Sequence, residues 1–524
     1  MADDNVVPTS HVVPAPTAAP SRLRKTVGFY LGIAASGLIL LWPTPEGMTP
    51  EAKRMAATVT LMGCWWIGES LPLGVTALLP LVAYPVFKIL PITQVAPNYA
   101  NHYVFLLLGG FFIALTMQRW NLHTRIALWI IRLVGTSGSR LVLGFMLASA
   151  FLSMWISNSA TAMMMMPIGL GLIVKTEQMQ GDTKNPSLVN FGACLMLGIA
   201  YAANIGGVAT LIGTFPNLVF AGMFKEYFPN GPEITFVEWL KIGLPFAALF
   251  VPVMWLYLVK GVLPIKGKVV ENADQVIASE VAMLGKISRG EKMILSVFIA
   301  TALLWIFRSD INIGGTVIRG WSSRLGVEKY VHDSTVAIAM GILCFILPVN
   351  RKRKISLLDW EHAQKAPWGI LLLFGGGFAI AKGFEVSGLT QWVGTQLTLL
   401  QDVPVILIIA AVALTMTFLT EMTSNTASTT MMLPIMAATA QALHINPLLL
   451  MLPATISASC AFMLPIGTPP NAIVFSSGRV SLIQMGKTGF ILNLITVVFV
   501  TGFVYFVVTK VMGISLEQPP IWLD

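Results

Sequence analysis

From Leu141 to Val174 the chain carries no charged side chain, and the same holds from Ile491 to Val508. About 20 apolar residues suffice to cross the hydrocarbon core of a bilayer. A backbone in that medium must satisfy its own N–H and C=O groups, so only helices and closed barrels span it. The alternating pattern of an outer-membrane barrel is absent. Charged residues make up 11% of the 524-residue sequence, against about 25% in an ordinary soluble domain. The sequence therefore reads as an all-α polytopic membrane protein.

The net charge of +9 is no sign of nucleic-acid binding, because Lys and Arg sit at the edges of the apolar runs, where they set membrane orientation. Cys64, Cys194, Cys344 and Cys460 stand singly inside apolar segments, and the six histidines show no ligand spacing. Disulfides, zinc and enzyme cofactors are not expected. Residues 1–26 are rich in Pro, Ala, Thr and Val and end in "SRLRK" before Thr26. They read as a disordered cytoplasmic tail, since no small-x-small cleavage site follows the next apolar run.

Eleven spans are expected, starting near residues 27, 54, 73, 103, 189, 239, 292, 333, 367, 447 and 488. Positive loops place the N-terminus inside, together with Arg119, Arg125, Arg132 and Arg140. Lys260, Lys266, Lys268, Lys286, Arg289, Lys292 and "RKRK" at 351–354 fall on the same side. One count satisfies all of these only if the stretches 141–174 and 403–441 do not cross. As one helix, 141–174 would be about 50 Å long, too long for a span, and "SNS" interrupts it. Two re-entrant hairpins are expected instead, the first with Ser157-Asn158-Ser159 at its tip. The linker 260–292 contains "ADQVIASEVAMLGKI", either an interfacial amphipathic helix or an ordinary loop.

The two tips are near-copies. Ser424 minus Ser157 is 267, and seven of the twelve residues from each position are identical. "FLLLGGFFIA" (105–114) matches "LLFGGGFAIA" (372–381) at the same offset. "LIGTFPNLVF" (211–220) resembles "LPIGTPPNAIVF" (464–475), with Gly213 and Gly467 differing by 254. The span before the first tip runs inward and its partner runs outward, so the repeats are inverted. Inverted repeats with interrupted helices are the pattern of secondary transporters, whose site lies at the membrane midplane.

Each tip starts a half-helix whose free N–H groups and positive dipole end point inward. The "Gly-Thr-x-Pro-Asn" breaks do likewise. Positive ends hold an anion, and the carbonyls of the preceding half-helices hold a hard cation. The tips carry no Arg, Lys or His, so a removable Na+ is a natural counter-charge. Ser153 and Thr420 each sit four residues before a tip. Their hydroxyls either join the tip oxygens around an ion or bond the carbonyl one turn back. Glu69 and Glu421 are intramembrane acids and functional candidates. Glu421 either neutralises a cation or locks the tip by accepting N–H bonds, whereas Glu69 suits a structural hydrogen-bonding role. Met163–Met166 reads as adaptable packing.

With "TE" at Thr420-Glu421, "ESLP" before "TALLP", both tips and both breaks, the chain resembles the divalent anion:sodium symporter family, which includes INDY-type dicarboxylate and citrate transporters. The matching residues spread from about 66 to 475. The resemblance implies a homodimer of elevator transporters with scaffold parts at 27–137 and 260–395. It implies transport-domain halves at 138–259 and 396–512, and an external tail at 513–524. Its implied sodium sites are Ser153, Ser157, Asn158 and the Gly213 carbonyl, then Thr420, Ser424, Asn425 and the Gly467 carbonyl. Substrate contacts would be Ser157, Asn158, Ser159, Thr214, Ser424, Asn425, Thr426, Thr468 and Pro469. Ser159 and Phe215 depart from the second-copy pattern of Thr426 and Pro469. Phe215 is bulky and would narrow the substrate range.

The expected function is Na+-coupled uptake of C4-dicarboxylates across a plasma membrane, with a cytoplasmic N-terminus and external C-terminus. A sodium-independent exchanger is the alternative within the class. An anion channel would need a continuous polar pore, and an enzyme would need a base or metal beside the tips.

Overall fold

The computed structural model describes residues 22–135, 137–180, 185–265, 273–313, 316–397, 401–516 and 518–523. The first 21 residues, Lys266, Lys268 and the other positions between these ranges lie outside the description. Most of the rest is helix. Among the described residues, seven helices are long and apolar enough to cross a membrane, including Arg22–Leu41, Pro186–Val208 and Leu482–Val511. Shorter apolar helices, including Leu73–Val86, Asp333–Ile346 and Leu448–Ala458, occupy other expected spans. The first helix begins at Arg22, so residues 22–26 are helical rather than tail. The linker holds a helix at Ala273–Met283. Two short antiparallel ribbons, Ile311–Ile313 with Thr316–Ile318 and Pro348–Asn350 with Ile355–Ser356, connect helices.

Both interrupted stretches are helical hairpins. Gly138–Ser153 and Asn158–Gln180 form the first, and Val405–Thr420 and Asn425–Ala442 the second. Their open ends lie at opposite ends of the bundle. Lys175 of the first shares a cavity with Ile277 and Glu280 of the linker helix. At that end Arg119 pairs with Asp359 at 2.7 Å and Arg125 with Glu291 at 2.6 Å, which gathers the basic loops together. Ala442 of the second hairpin packs instead against Gly394, at the end where Thr49 Oγ1 donates to the Ser387 carbonyl. Here too Arg308 pairs with Asp333 and Glu233 at 2.6 and 2.9 Å, and Trp522 packs edge-on against Phe224.

The repeated glycine runs explain why the surrounding helices approach so closely. A Cβ on Gly109 would collide with the Ala337 backbone, and one on Gly376 would lie 2.5 Å from the Ala77 carbonyl. Helix association inside a bilayer lacks a hydrophobic drive and relies on such small-residue contacts. The two helix pairs therefore cross at matching positions of the two repeats.

Candidate functional site

The tips end where the backbone turns from one half-helix to the next. Ser157 Oγ accepts the Ala160 N–H at 3.3 Å, and Ser424 takes the extended cap conformation before Asn425. Behind each tip lies the same pair of oxygens. Ser153 Oγ donates to Asn158 Oδ1 at 2.6 Å, and Thr420 Oγ1 lies 2.7 Å from Asn425 Oδ1. Neither hydroxyl bonds the carbonyl one turn back. Thr420 Oγ1 also lies 2.8 Å from the Ala458 carbonyl. One hydroxyl proton cannot serve two acceptors, so three oxygens crowd there with one hydrogen among them.

Both broken helices unwind by the same device. Thr214 and Thr468 take extended conformations, with φ −140° and −142°. The following Asn then reaches back over the break. Asn217 Nδ2 donates to the Gly207 and Thr210 carbonyls at 3.1 and 2.7 Å. Asn471 Nδ2 donates to those of Ala461 and Leu464 at 3.0 and 3.1 Å. Thr210 and Leu464 differ by 254, as Asn217 and Asn471 do. A buried carbonyl freed from its helix must find a donor, and these two amides supply it. In the first half the oxygens then converge. A Cβ on Gly207 would lie 2.6 Å from Asn158 Oδ1, and one on Gly213 would lie 2.5 Å from the Gly207 carbonyl and 3.0 Å from that of Ser153.

Glu421 breaks the symmetry. Its carboxylate is buried, and Oε1 accepts from the Phe462 N–H, the Met463 N–H and Asn493 Nδ2 at 2.6, 2.8 and 2.8 Å. Oε2 accepts from the Leu464 N–H at 3.1 Å. The acid thus fastens the second tip to the unwound segment, which is the locking role. Glu69 lies elsewhere. It caps the helix Pro50–Gly68 in the left-handed region at φ 49°, and its half-exposed carboxylate is 3.6 Å from Arg24. It is a partly exposed helix-end acid that lines the cavity, not a buried one.

All nine residues expected to touch substrate, together with Gly213 and Gly467, line one cavity of about 310 Å³. Ser153 and Thr420 sit behind it. Sequence reasoning missed Asn204, which lines the same cavity. Its Nδ2 donates to Thr468 Oγ1 at 3.0 Å and approaches the Ala461 carbonyl at 3.5 Å. Thr468 Oγ1 also accepts the Asn471 N–H at 3.4 Å, so its own proton is free for another acceptor. A lone Asn two residues before "GG" carries no repeat signal, because its counterpart at offset 254 is Ala458. Asn217 and Asn471 were visible inside the repeated "PN" but had no assigned role. Arg24 was read only as an orientation signal. It lines the cavity and donates to the Met422 carbonyl at the second tip and to the Ile67 carbonyl, both at 2.6 Å. Phe215 also lines the cavity and packs edge-on against Phe111 at 6.0 Å, so part of its bulk is directed to a neighbouring helix.

Opposed hairpins and two broken helices, meeting at one polar cavity inside an apolar helical bundle, define a secondary transporter. The chain belongs to the family described as the sodium:sulfate symporter transmembrane region, which it matches over residues 23–512. It is 41% identical over 495 residues to a sodium-dependent dicarboxylate transporter, SdcS, of Staphylococcus saprophyticus, covering 94% of this chain and 93% of the relative. It is 42% identical over 502 residues to the protein of the same name from Staphylococcus aureus strain bovine RF122, covering 95% and 94%. Among solved structures, MtrF of Neisseria gonorrhoeae, described with a class of antimetabolite efflux pumps, aligns with a TM-score of 0.55 at 12% identity. That alignment covers 97% of this chain and 98% of MtrF and shows a shared fold. The family is one of transporters, not enzymes.

Proposed function

We propose that this protein is a Na+-coupled transporter of C4-dicarboxylates. The observation that carries the reading is the duplicated oxygen pair behind each tip, Ser153 with Asn158 and Thr420 with Asn425, on either side of one cavity. The dianion lies between the tips against Ser157, Asn158, Ser159, Thr214, Ser424, Asn425, Thr426, Thr468 and Pro469. One Na+ sits behind each tip, the first on Ser153, Ser157, Asn158 and the Gly213 carbonyl, the second on Thr420, Ser424, Asn425 and the Gly467 carbonyl. At the second site a cation would relieve the oxygen crowding around Thr420. The names of the staphylococcal relatives support the same substrate and ion.

Charge supplies the reason for coupling. Carrying a dianion into a negative-inside cell costs about 2.3 kcal/mol per charge per 100 mV, about 4.6 in all, and two Na+ cancel it. The movement is an elevator stroke of residues 138–259 and 396–512 against a scaffold of 27–137 and 260–395, in a homodimer in the plasma membrane. The N-terminus is cytoplasmic and the C-terminus external. The test is uptake of labelled succinate into proteoliposomes under a Na+ gradient, against K+ at equal ionic strength. Uptake that needs Na+ supports symport, whereas equal uptake with K+, driven only by internal dicarboxylate, selects the exchanger.

A further inference from the structure

The two cation sites are copies in sequence but not in charge. The position 267 residues before Glu421 is Met154. In the first half, the space beside Gly213 is walled by neutral carbonyls, those of Gly207 and Ser153. In the second half the corresponding wall is anionic: a Cβ on Gly467 would lie 2.8 Å from Glu421 Oε2. The carboxylate is held there from its far side. Oε1 takes three of its four donors, while Oε2 takes only the Leu464 N–H. A carboxylate oxygen accepts about two hydrogen bonds, so Oε2 keeps unused acceptor capacity on the side of Gly467.

We propose that Glu421 makes the second cation site the tighter of the two, so that Na+ fills the Thr420–Asn425 site before the Ser153–Asn158 site. Glu421 is a positioning residue that acts through the Gly467 wall, and the inference rests on the sodium-coupled reading above. Glu421 directly follows the proposed ligand Thr420, and at the effective dielectric of a protein site a unit charge within about 10 Å of a cation is worth enough to separate the affinities by at least ~10-fold. Order follows from affinity. The second tip is loaded first, and the first site, lacking a carboxylate, fills when the dianion arrives to share its charge. The neutral site is then the one whose occupancy the substrate controls.

The test is equilibrium binding of radiolabelled Na+ to the purified full-length protein, without dicarboxylate and then with succinate. Two components at least ~10-fold apart are expected. Thr420→Ala should remove the tight one and Ser153→Ala the weak one, and succinate should tighten mainly the weak one. Glu421→Gln should merge the components, and Glu421→Asp should restore part of the separation, which a purely structural role would not do. If Glu421→Gln fails to fold, the Thr420→Ala and Ser153→Ala isotherms still decide. Loss of the tight component in Ser153→Ala, or a single class of sites weakened equally by both variants, overturns the proposal while leaving sodium coupling intact. Absence of Na+ binding altogether overturns the sodium-coupled reading and the proposal with it.

Discussion

Replacing Asn217 by Ala should disable the protein more severely than replacing Asn471 by Ala, although the two are repeat partners. Asn217 Nδ2 serves the Gly207 and Thr210 carbonyls at 3.1 and 2.7 Å, and both ends of the break are buried. Without it, Thr210 keeps only the Gly213 N–H at 3.3 Å. A buried group left without its partner costs about 1–3 kcal/mol, so two weakened carbonyls imply a loss of about 2–4 kcal/mol. In the second break the Ala461 carbonyl retains Asn204 Nδ2 at 3.5 Å after Asn471 is removed, and the loss is about 1–3 kcal/mol. At 1.36 kcal/mol per tenfold, the first figure lowers the ordered form of the break by about 30- to 900-fold. Uptake of labelled succinate over a Na+ titration reads this as a Na+ dependence shifted to higher concentration in Asn217→Ala, with a lower denaturation midpoint in detergent. Asn217→Asp should not rescue, because a carboxylate offers no donor to a carbonyl. Wild-type sodium dependence in Asn217→Ala, or full activity in Asn217→Asp, would refute the argument that the amide holds the break open.

Asn158→Ala and Asn425→Ala should each abolish uptake while the protein still purifies as a monodisperse species; retention of wild-type uptake and sodium dependence by both would overturn the site assignment. Raising Na+ at constant ionic strength should tighten succinate binding, and succinate should tighten Na+ binding by the same factor, which paired binding titrations measure. A flat response leaves the exchanger. Exposed cysteines at Gln178 and His444 should label from the cytoplasmic and external sides respectively, and labelling of both from one side sinks the inverted arrangement. Arg308→Ala strands the buried Asp333 carboxylate and should cost about 3–5 kcal/mol. Arg308→Lys should recover little of it, because the guanidinium also reaches Glu233 and the Val331 carbonyl in a fork that an ammonium cannot copy.

Much of the site was legible because it is written twice. The offsets of 267 and 254 picked out the tips and the breaks, and the residues so chosen line one cavity. What escaped were contacts that spacing does not mark, such as those of Arg24, Asn204 and the two break asparagines. Asn204 faces Thr468 from the other half of the protein, whereas Glu421, though it stands opposite Met154 in the repeat, was already a candidate as an acid in an apolar run. Glu69 reads in sequence as an acid buried among apolar residues, yet the chain stops its helix one residue earlier and turns the carboxylate toward Arg24.

The sequence by itself determined that the chain is apolar enough to lie in a membrane, that it is helical, and that its polar interruptions are written twice. These follow from hydropathy, charge placement and spacing, which are local properties. Only the tertiary structure decided which oxygens meet. It brought residues from the first and second halves, such as Asn204 and Thr468, to 3.0 Å, and it placed the Glu421 carboxylate against Gly467. Those contacts depend on how helices distant in the chain pack around unwound backbone, and no spacing along the sequence encodes a distance across the bundle.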